Sequence, residues 1–259
     1  MNILERFSLK GKTAIITGGE RGIGFAIALG FAQAGADIAI AGVDVMSADS
    51  ALVKLRAEGV QAIFVKTDCT DEDQVIAMVN EVKNHFGHID VLCNNVGISK
   101  HAPAEEMPLE MWQRVINTNL TTQFLVSREV GKVMLKQGKG SIVNISSMSG
   151  LIVNTPIEQC NYNASKAGVI QLTKSLACEW AKRGVRVNTI APAYIWTPIT
   201  AHRFENPDDP YVPTWRAMTP MGREGRPDEL CGAALYFASD ASTYTTGSVL
   251  TVDGGYTCW

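Results

Sequence analysis

Tyr162 and Lys166 stand four residues apart in the run Tyr162-Asn163-Ala164-Ser165-Lys166. On a helix, positions i and i+4 share one face. A phenol ionises near pH ~10 in water, and a neighbouring ammonium favours the phenolate. Such a pair can give or take a proton near neutral pH, the work of a general acid–base. A second candidate lies in Asn144-Ile145-Ser146-Ser147-Met148-Ser149-Gly150, where hydroxyls directly follow an apolar run. Taken singly, each is commonplace: Tyr and Lys at this spacing are mostly a surface coincidence, and serines after a strand mostly form turns.

A glycine-rich turn supplies a different chemistry. Thr17-Gly18-Gly19-Glu20-Arg21-Gly22-Ile23-Gly24 follows an apolar run and opens a helical pattern. In that context Gly18 permits the turn, Gly22 lets a pyrophosphate approach the backbone, and Gly24 allows close helix packing. The helix start then offers free N–H groups and a favourable dipole to phosphate. The spacing is T-G-x-x-x-G-x-G, so the ordinary G-x-G-x-x-G fingerprint does not apply as it stands. Asp68, ending a third strand, can hold an adenine amino group or cap the segment starting at Thr70. Asn94-Asn95-Val96-Gly97 follows a fourth strand, and its glycine permits close approach to a ligand.

These residues need elements to hold them. Short apolar runs predict strands over Lys12–Thr17, Asp37–Ala41, Gln61–Lys66, Ile89–Cys93, Ser141–Ile145, Arg186–Ile190 and Val249–Val252. Between them, helical spacing marks Gly22–Ala34, Ser47–Glu58, Asp71–Phe86, Leu109–Lys136 (two helices or one broken one), Asn161–Lys182 and Asp228–Ser239. Pro192–Pro227, rich in Pro, Trp and charge, reads as an irregular excursion. Alternating strands and helices predict an α/β fold: one doubly wound, Rossmann-type domain over 1–259, with a seven-stranded parallel sheet and helices on both faces.

Composition narrows the function classes. The net charge of −3, with scattered Lys and Arg, provides no broad basic field for nucleic acid. No run of eighteen apolar residues suggests a membrane span, and no signal-like apolar core follows Met1. The six cysteines form no C-x-x-C pair and no zinc-site spacing, so no metal site is expected. They read as reduced, mostly buried thiols, which fits a reducing cytoplasm.

Together the motifs resemble the short-chain dehydrogenase/reductase family, from Lys10 to about Gly255. The resemblance implies that Tyr162 donates or accepts the substrate's hydroxyl proton and Ser147 polarises its oxygen. It further implies that Lys166 lowers the Tyr162 pKa and holds the nicotinamide ribose, while Asn119 anchors a proton-relaying water. The cofactor residues it implies are Gly18, Glu20, Arg21, Gly22, Ile23, Gly24, Asp44, Asp68, Asn95 and Gly97, with Tyr162 and Lys166. Pro192, Ile195 and Thr197 complete that set. The sequence departs from the family pattern at Val96, usually Ala, and at Ala193, where Pro-Gly is usual. Ser147 and Tyr162 are also fifteen residues apart, slightly more than is common.

The cofactor implied is NADP or NAD. The discriminating position at the end of the second strand aligns with Gly42, which is not acidic. Arg21 suits a 2′-phosphate and leans the reading toward NADP, while Asp44 pushes the other way. A lid over 197–222, with Trp196, His202, Phe204, Tyr211 and Trp215 nearby, is expected to close the crevice. Ser149, Glu158 and His202 would hydrogen-bond a substrate on which Trp196 stacks. A looser similarity to the sugar and polyol dehydrogenase branch points to secondary alcohol–ketone interconversion on a polyol, sugar or sugar acid. The family resemblance implies a homotetramer, and the apolar end Tyr256-Thr257-Cys258-Trp259 is expected to reach a neighbour. The competing readings are a 3-oxoacyl-carrier-protein reductase-like enzyme and a non-catalytic dinucleotide-binding protein.

Overall fold

Apolar runs too short for helices, each closed by glycine or a polar residue, become strands of one sheet. The structure is a computed structural model and describes residues 2–259. Strands β1 (Thr13–Thr17), β2 (Asp37–Gly42), β3 (Ala62–Lys66), β4 (Val91–Asn94), β5 (Gly140–Ile145), β6 (Val185–Pro192) and β7 (Val249–Val252) pair in the order β3-β2-β1-β4-β5-β6-β7. Every pairing is parallel. Helices α1 (Gly22–Gln33), α2 (Val45–Ala57), α3 (Glu72–Phe86), α4 (Leu109–Ile116), α5 (Thr122–Gln137) and α6 (Cys160–Trp180) follow in chain order. Short helices α7 (Ala201–Phe204) and α8 (Val212–Met218) precede α9 (Cys231–Ala238).

Alternation along the strands builds a core on each face of the sheet. Ala14 and Ile16 of β1, with Ile38, Ile40, Cys93 and Val143, pack against Ile27 and Phe31 of α1, Leu55 of α2 and Phe237 of α9. Ile15, between them in β1, joins Ala39, Leu92, Ile142 and Val187 against Met78 of α3, Val126 and Val130 of α5, and Trp180 of α6. Each such large side chain taken wholly from water stabilises the fold by roughly 1.5–3 kcal/mol. The doubly wound parallel sheet expected from the sequence is therefore present. Its strand order reverses between β1 and β4, the place where such sheets open a ligand crevice at their carboxyl ends.

The structure adds several details to the sequence expectation. The long segment after β4 is broken by a π-helical turn over Asn117–Thr121, between α4 and α5. Such wide turns insert one residue, and here Asn119 is wholly buried within it. The last helical pattern begins as a 3-10 turn, Pro227–Leu230, because Pro227 enters at its first position. The excursion after β6 is not wholly irregular, since it contains α7 and α8. The thiols are all unpaired, but only Cys69 and Cys93 are buried; Cys160, Cys178 and Cys258 are exposed at a helix start, an outer helix face and the tail. The tail folds back on its own chain: Tyr256 is buried against Tyr194, and Trp259 Nε1 donates to Met218 O at 3.1 Å. Among the described residues no helix is long and apolar enough to cross a membrane.

Gly24 fixes how closely α1 approaches the ends of β1 and β4. A Cβ there would overlap the Gly18 carbonyl oxygen and lie 2.6 Å from Asn95 Nδ2. Gly24→Ala is expected to lower stability by ~1–3 kcal/mol, the usual cost of overpacking a tight contact. Urea denaturation checks this, and an unchanged midpoint would contradict the packing argument.

Candidate active site

The helical spacing seen in the sequence puts Tyr162 and Lys166 on one face of α6, turned to the carboxyl end of β5. Ser146 Oγ donates to Lys166 O at 2.7 Å, tying strand end to helix. A Cβ at Gly150 would come 2.7 Å from the Lys166 carbonyl, so only glycine lets the turn after β5 press this closely on α6. That turn, Met148–Gly150, begins at Ser147, whose Oγ accepts from Ser149 N at 3.1 Å.

Lys166 is 3 % exposed, and its Nζ donates to Ile145 O at 3.0 Å. Burial pulls this ammonium down to about 8. Its Nζ lies 5.7 Å from the centre of the Tyr162 ring. Burial also pushes the Tyr162 phenol up from its ordinary value, with the facing Ser147 hydroxyl pulling the other way. The free protein therefore keeps the phenol protonated near neutral pH, whereas the resemblance implies a lowered pKa. The reason is geometric: the ammonium is bonded to a carbonyl rather than to the phenol, so desolvation outweighs it. Asn119 completes the cluster. Its Oδ1 accepts from Ile98 N at 2.7 Å, and its Nδ2 donates to Ile98 O and Ser165 Oγ. A Cβ at Gly97 would lie 3.3 Å from both Asn119 Oδ1 and Lys166 Nζ, so Gly97 leaves the ammonium open to the cleft.

A continuous cleft of about 1070 Å³ runs from this cluster across the ends of β1, β2 and β4. Gly18, Glu20, Arg21, Gly22, Ile23, Asp68, Asn95, Gly97, Pro192, Ile195 and Thr197 all line it. Gly18 and Gly22 take the left-handed conformation, with φ +62° and +56°. The α1 N-terminus has no side-chain cap, so its N–H groups remain available to a phosphate. Asn95 braces the turn, donating from Nδ2 to Thr17 O and Gly18 O and from its backbone N to Thr17 Oγ1. The residues present thus fit a dinucleotide. Two members of the expected set do other work. Gly24 packs beneath the turn, and Asp44 caps α2 through Ser47 N while pairing with Arg21 at 3.3 Å. Asp68 lines the cleft, and its Oδ1 accepts from Thr70 N and Thr70 Oγ1, the capping role expected of it.

Beside Tyr162 the cleft is polar, and here the sequence chose some wrong neighbours. Ser149 lines it, as expected. Glu158 is exposed and does not; Gln159, the residue just before α6, takes that place. Trp196 also points away, because side chains alternate along Ile195–Thr197 and its neighbours are the two that face in. His202 is exposed, its Nδ1 against Ile199 O, while Arg203 and Phe204 of α7 turn inward. Asn154 links the rest: it accepts from Ser149 Oγ at 2.8 Å and Gln159 Nε2 at 3.0 Å, and donates to Tyr194 Oη at 2.9 Å. Tyr194 stacks on Trp215, ring centres 4.1 Å apart, and Arg203 lies over Trp215. His101 joins this end from the β4 side. Only Gln159 carried a usable signal in the sequence, a polar residue three before Tyr162.

Comparison with known proteins agrees with this geometry. Residues 18–257 match the family model described as enoyl-(acyl carrier protein) reductase. The chain belongs to the short-chain dehydrogenase/reductase family, whose members are NAD(P)-dependent oxidoreductases. It is 45% identical to a sorbose reductase of Candida albicans, over 99% of this chain and 91% of that one. It is 42% identical to the L-tagatose-forming galactitol 2-dehydrogenase of Cereibacter sphaeroides, over 98% of each. A gluconate 5-dehydrogenase from Burkholderia cenocepacia, solved with NADP and tartrate, superposes with a TM-score of 0.93 at 36% identity, covering 100% of both chains.

Burial of Lys166 has a consequence for stability. The unfolded chain keeps this proton up to 10.5, the folded one only to about 8. Between those values the unfolded state binds more protons, so this residue's penalty is present below pH 8 and is relieved as pH rises to 10.5. The stability difference between Lys166→Met and wild type should therefore shift in favour of wild type across that window, by up to ~3 kcal/mol. Urea denaturation across that range checks it; a pH-independent difference would contradict a buried ammonium.

Proposed function

We propose that this protein interconverts a secondary alcohol and a ketone on a polyol, sugar or sugar acid, using a nicotinamide dinucleotide. The observation that carries the substrate reading is the buried amide–hydroxyl chain of Ser149, Asn154 and Gln159 beside Ser147 and Tyr162. Buried polar groups in a cleft are suited to a ligand that presents hydroxyls at several carbons. The stacked Tyr194–Trp215 wall offers an apolar face for C–H groups. Sorbose, galactitol and gluconate, named for the relatives, are substrates of this kind.

The dinucleotide would lie along the α1 N-terminus and Gly97, with Lys166 beneath its ribose. A bound dinucleotide would supply the hydride acceptor for alcohol oxidation and the hydride donor for ketone reduction. Tyr162 moves the proton: it gives one to the oxygen of a ketone and takes one from an alcohol. Ser147 donates a hydrogen bond to the same oxygen and fixes it against the phenol. Lys166 has three donors, of which Ile145 O takes one. The others are available to ribose hydroxyls and to the phenol. Asn119 holds the Ile98 backbone and Ser165, and so positions the floor under Lys166.

The rest of the reading concerns closure, assembly and compartment. The 197–222 segment acts as the lid, since Thr197, Arg203, Phe204 and Trp215 all turn into the cleft. A homotetramer is part of the proposal, supported by the exposed Trp112, Phe124 and Leu250 on α4, α5 and β7. A cytoplasmic location fits the unpaired thiols. An acyl-carrier-protein reductase is the second reading, favoured by the family model's description. It wants an apolar channel and a basic rim, and the Ser149–Asn154–Gln159 lining suits it poorly. A non-catalytic role is disfavoured because Ser147, Tyr162 and Lys166 converge on one cleft, with Asn119 buried behind them.

A steady-state screen with both dinucleotides against polyols, sugars, aldonates and acyl thioesters tests the proposal. Activity is expected on a polyhydroxylated substrate. Because the phenol holds its proton in the free protein, alcohol oxidation should rise with pH into the alkaline range, while ketone reduction should not. Turnover of acyl thioesters alone would contradict the reading.

A further inference from the structure

We propose that Glu20, a residue of the glycine-rich turn rather than of β2, is the acid that receives the adenosine ribose and excludes a 2′-phosphate, so that this protein takes NAD in preference to NADP. The inference rests on the dinucleotide reading of the cleft and reverses the direction in which Arg21 alone points.

Dinucleotide folds carry an acid about 20 residues beyond the glycine turn, at the end of the second strand, where it bonds the ribose hydroxyls. Here that position is Gly42, which has no side chain. The space over Gly42 is nevertheless acidic. A Cβ on Gly42 would lie 2.5 Å from Glu20 Oε2 and 2.8 Å from Oε1. The Glu20 carboxylate therefore occupies the space into which a side chain at this β2 position would enter.

Glu20 is 8 % exposed, lines the cleft, and its Oε2 has no hydrogen-bond partner in the protein. A buried carboxylate oxygen without a donor is costly, which points to a donor supplied from outside the chain. A ribose with free hydroxyls brings donors. A 2′-phosphate brings only acceptors and a charge of about −1.5 to −2, against a carboxylate. Burial raises the Glu20 carboxyl from its ordinary value, with its own backbone N–H pulling the other way.

The cation that could offset this is already engaged. Arg21 Nη1 lies 3.3 Å from Asp44 Oδ2, and Asp44 is held in turn by Ser47 N and Ser47 Oγ. Val43, beside Gly42 in the cleft wall, adds no charge. Glu20 and Asp44 against one Arg21 leave this end acidic.

The test is calorimetric binding of NADH and NADPH, and of ADP-ribose and its 2′-phosphate, to wild type, Glu20→Gln and Glu20→Ala. Wild type should bind NADH at least ~10-fold more tightly than NADPH, as one uncompensated like-charge contact implies. Both substitutions should narrow that ratio at least ~5-fold, chiefly by improving NADPH, and the adenosine fragments should follow. Equal or tighter binding of NADPH by wild type, or a ratio that neither substitution moves, would overturn the assignment and leave the dinucleotide reading standing. Failure of wild type to bind either dinucleotide would overturn both.

Discussion

The buried ammonium of Lys166 is the constraint around which the cleft is arranged. A cation this far from water has to be held by polar groups, and the protein supplies one carbonyl, that of Ile145 at 3.0 Å. The neighbouring elements are shaped to permit this. The turn after β5 presses on α6 because Gly150 has no side chain, and Gly97 leaves the ammonium uncovered on the cleft side. The π-helical turn brings Asn119 inward, where it binds Ile98 and Ser165. Two of the ammonium's three donors are thereby left for a ligand. The stability lost to desolvation is of the kind that active sites commonly carry.

From this centre the cleft extends in two chemically distinct directions. Toward β1 and β2 it is built from backbone: glycines, an uncapped helix start and the Asn95 brace suit a phosphate-bearing ligand. Toward α6 and α7 it is built from amides, hydroxyls and two stacked rings, which suit hydroxyls on carbon. Both directions begin at carboxyl ends of parallel strands. The reversal of strand order between β1 and β4 is what allows one crevice to reach both.

Much of this was legible in the sequence because it depends on local rules. Strand runs, helical periodicity and glycine closures placed the α/β elements, and i to i+4 spacing put Tyr162 and Lys166 together. What could not be read depends on rotation and tertiary contact. Glu158 and Gln159 are adjacent, yet only the helix start decides which faces Tyr162. Trp196 suits stacking and His202 hydrogen bonding by residue type, but the alternation of an extended segment and the turn of α7 direct Ile195, Thr197, Arg203 and Phe204 inward instead. The salt bridge of Arg21 to Asp44 joins the glycine turn to the start of α2, so neither residue's sequence context revealed that its charge is already matched. The Tyr162 proton affinity of the free protein likewise depends on tertiary contact, because spacing gives proximity to Lys166 but not which group the ammonium bonds.

The account stands on Tyr162 as the group that moves the substrate proton. Its most direct test is Tyr162→Phe, compared with wild type for dinucleotide affinity and for single-turnover hydride transfer on the best substrate. The ring is kept and only the hydroxyl is lost. Affinity should stay within about twofold while hydride transfer falls by ~10²–10⁴, the range a positioned acid–base contributes. Hydride transfer at the wild-type rate would contradict the account.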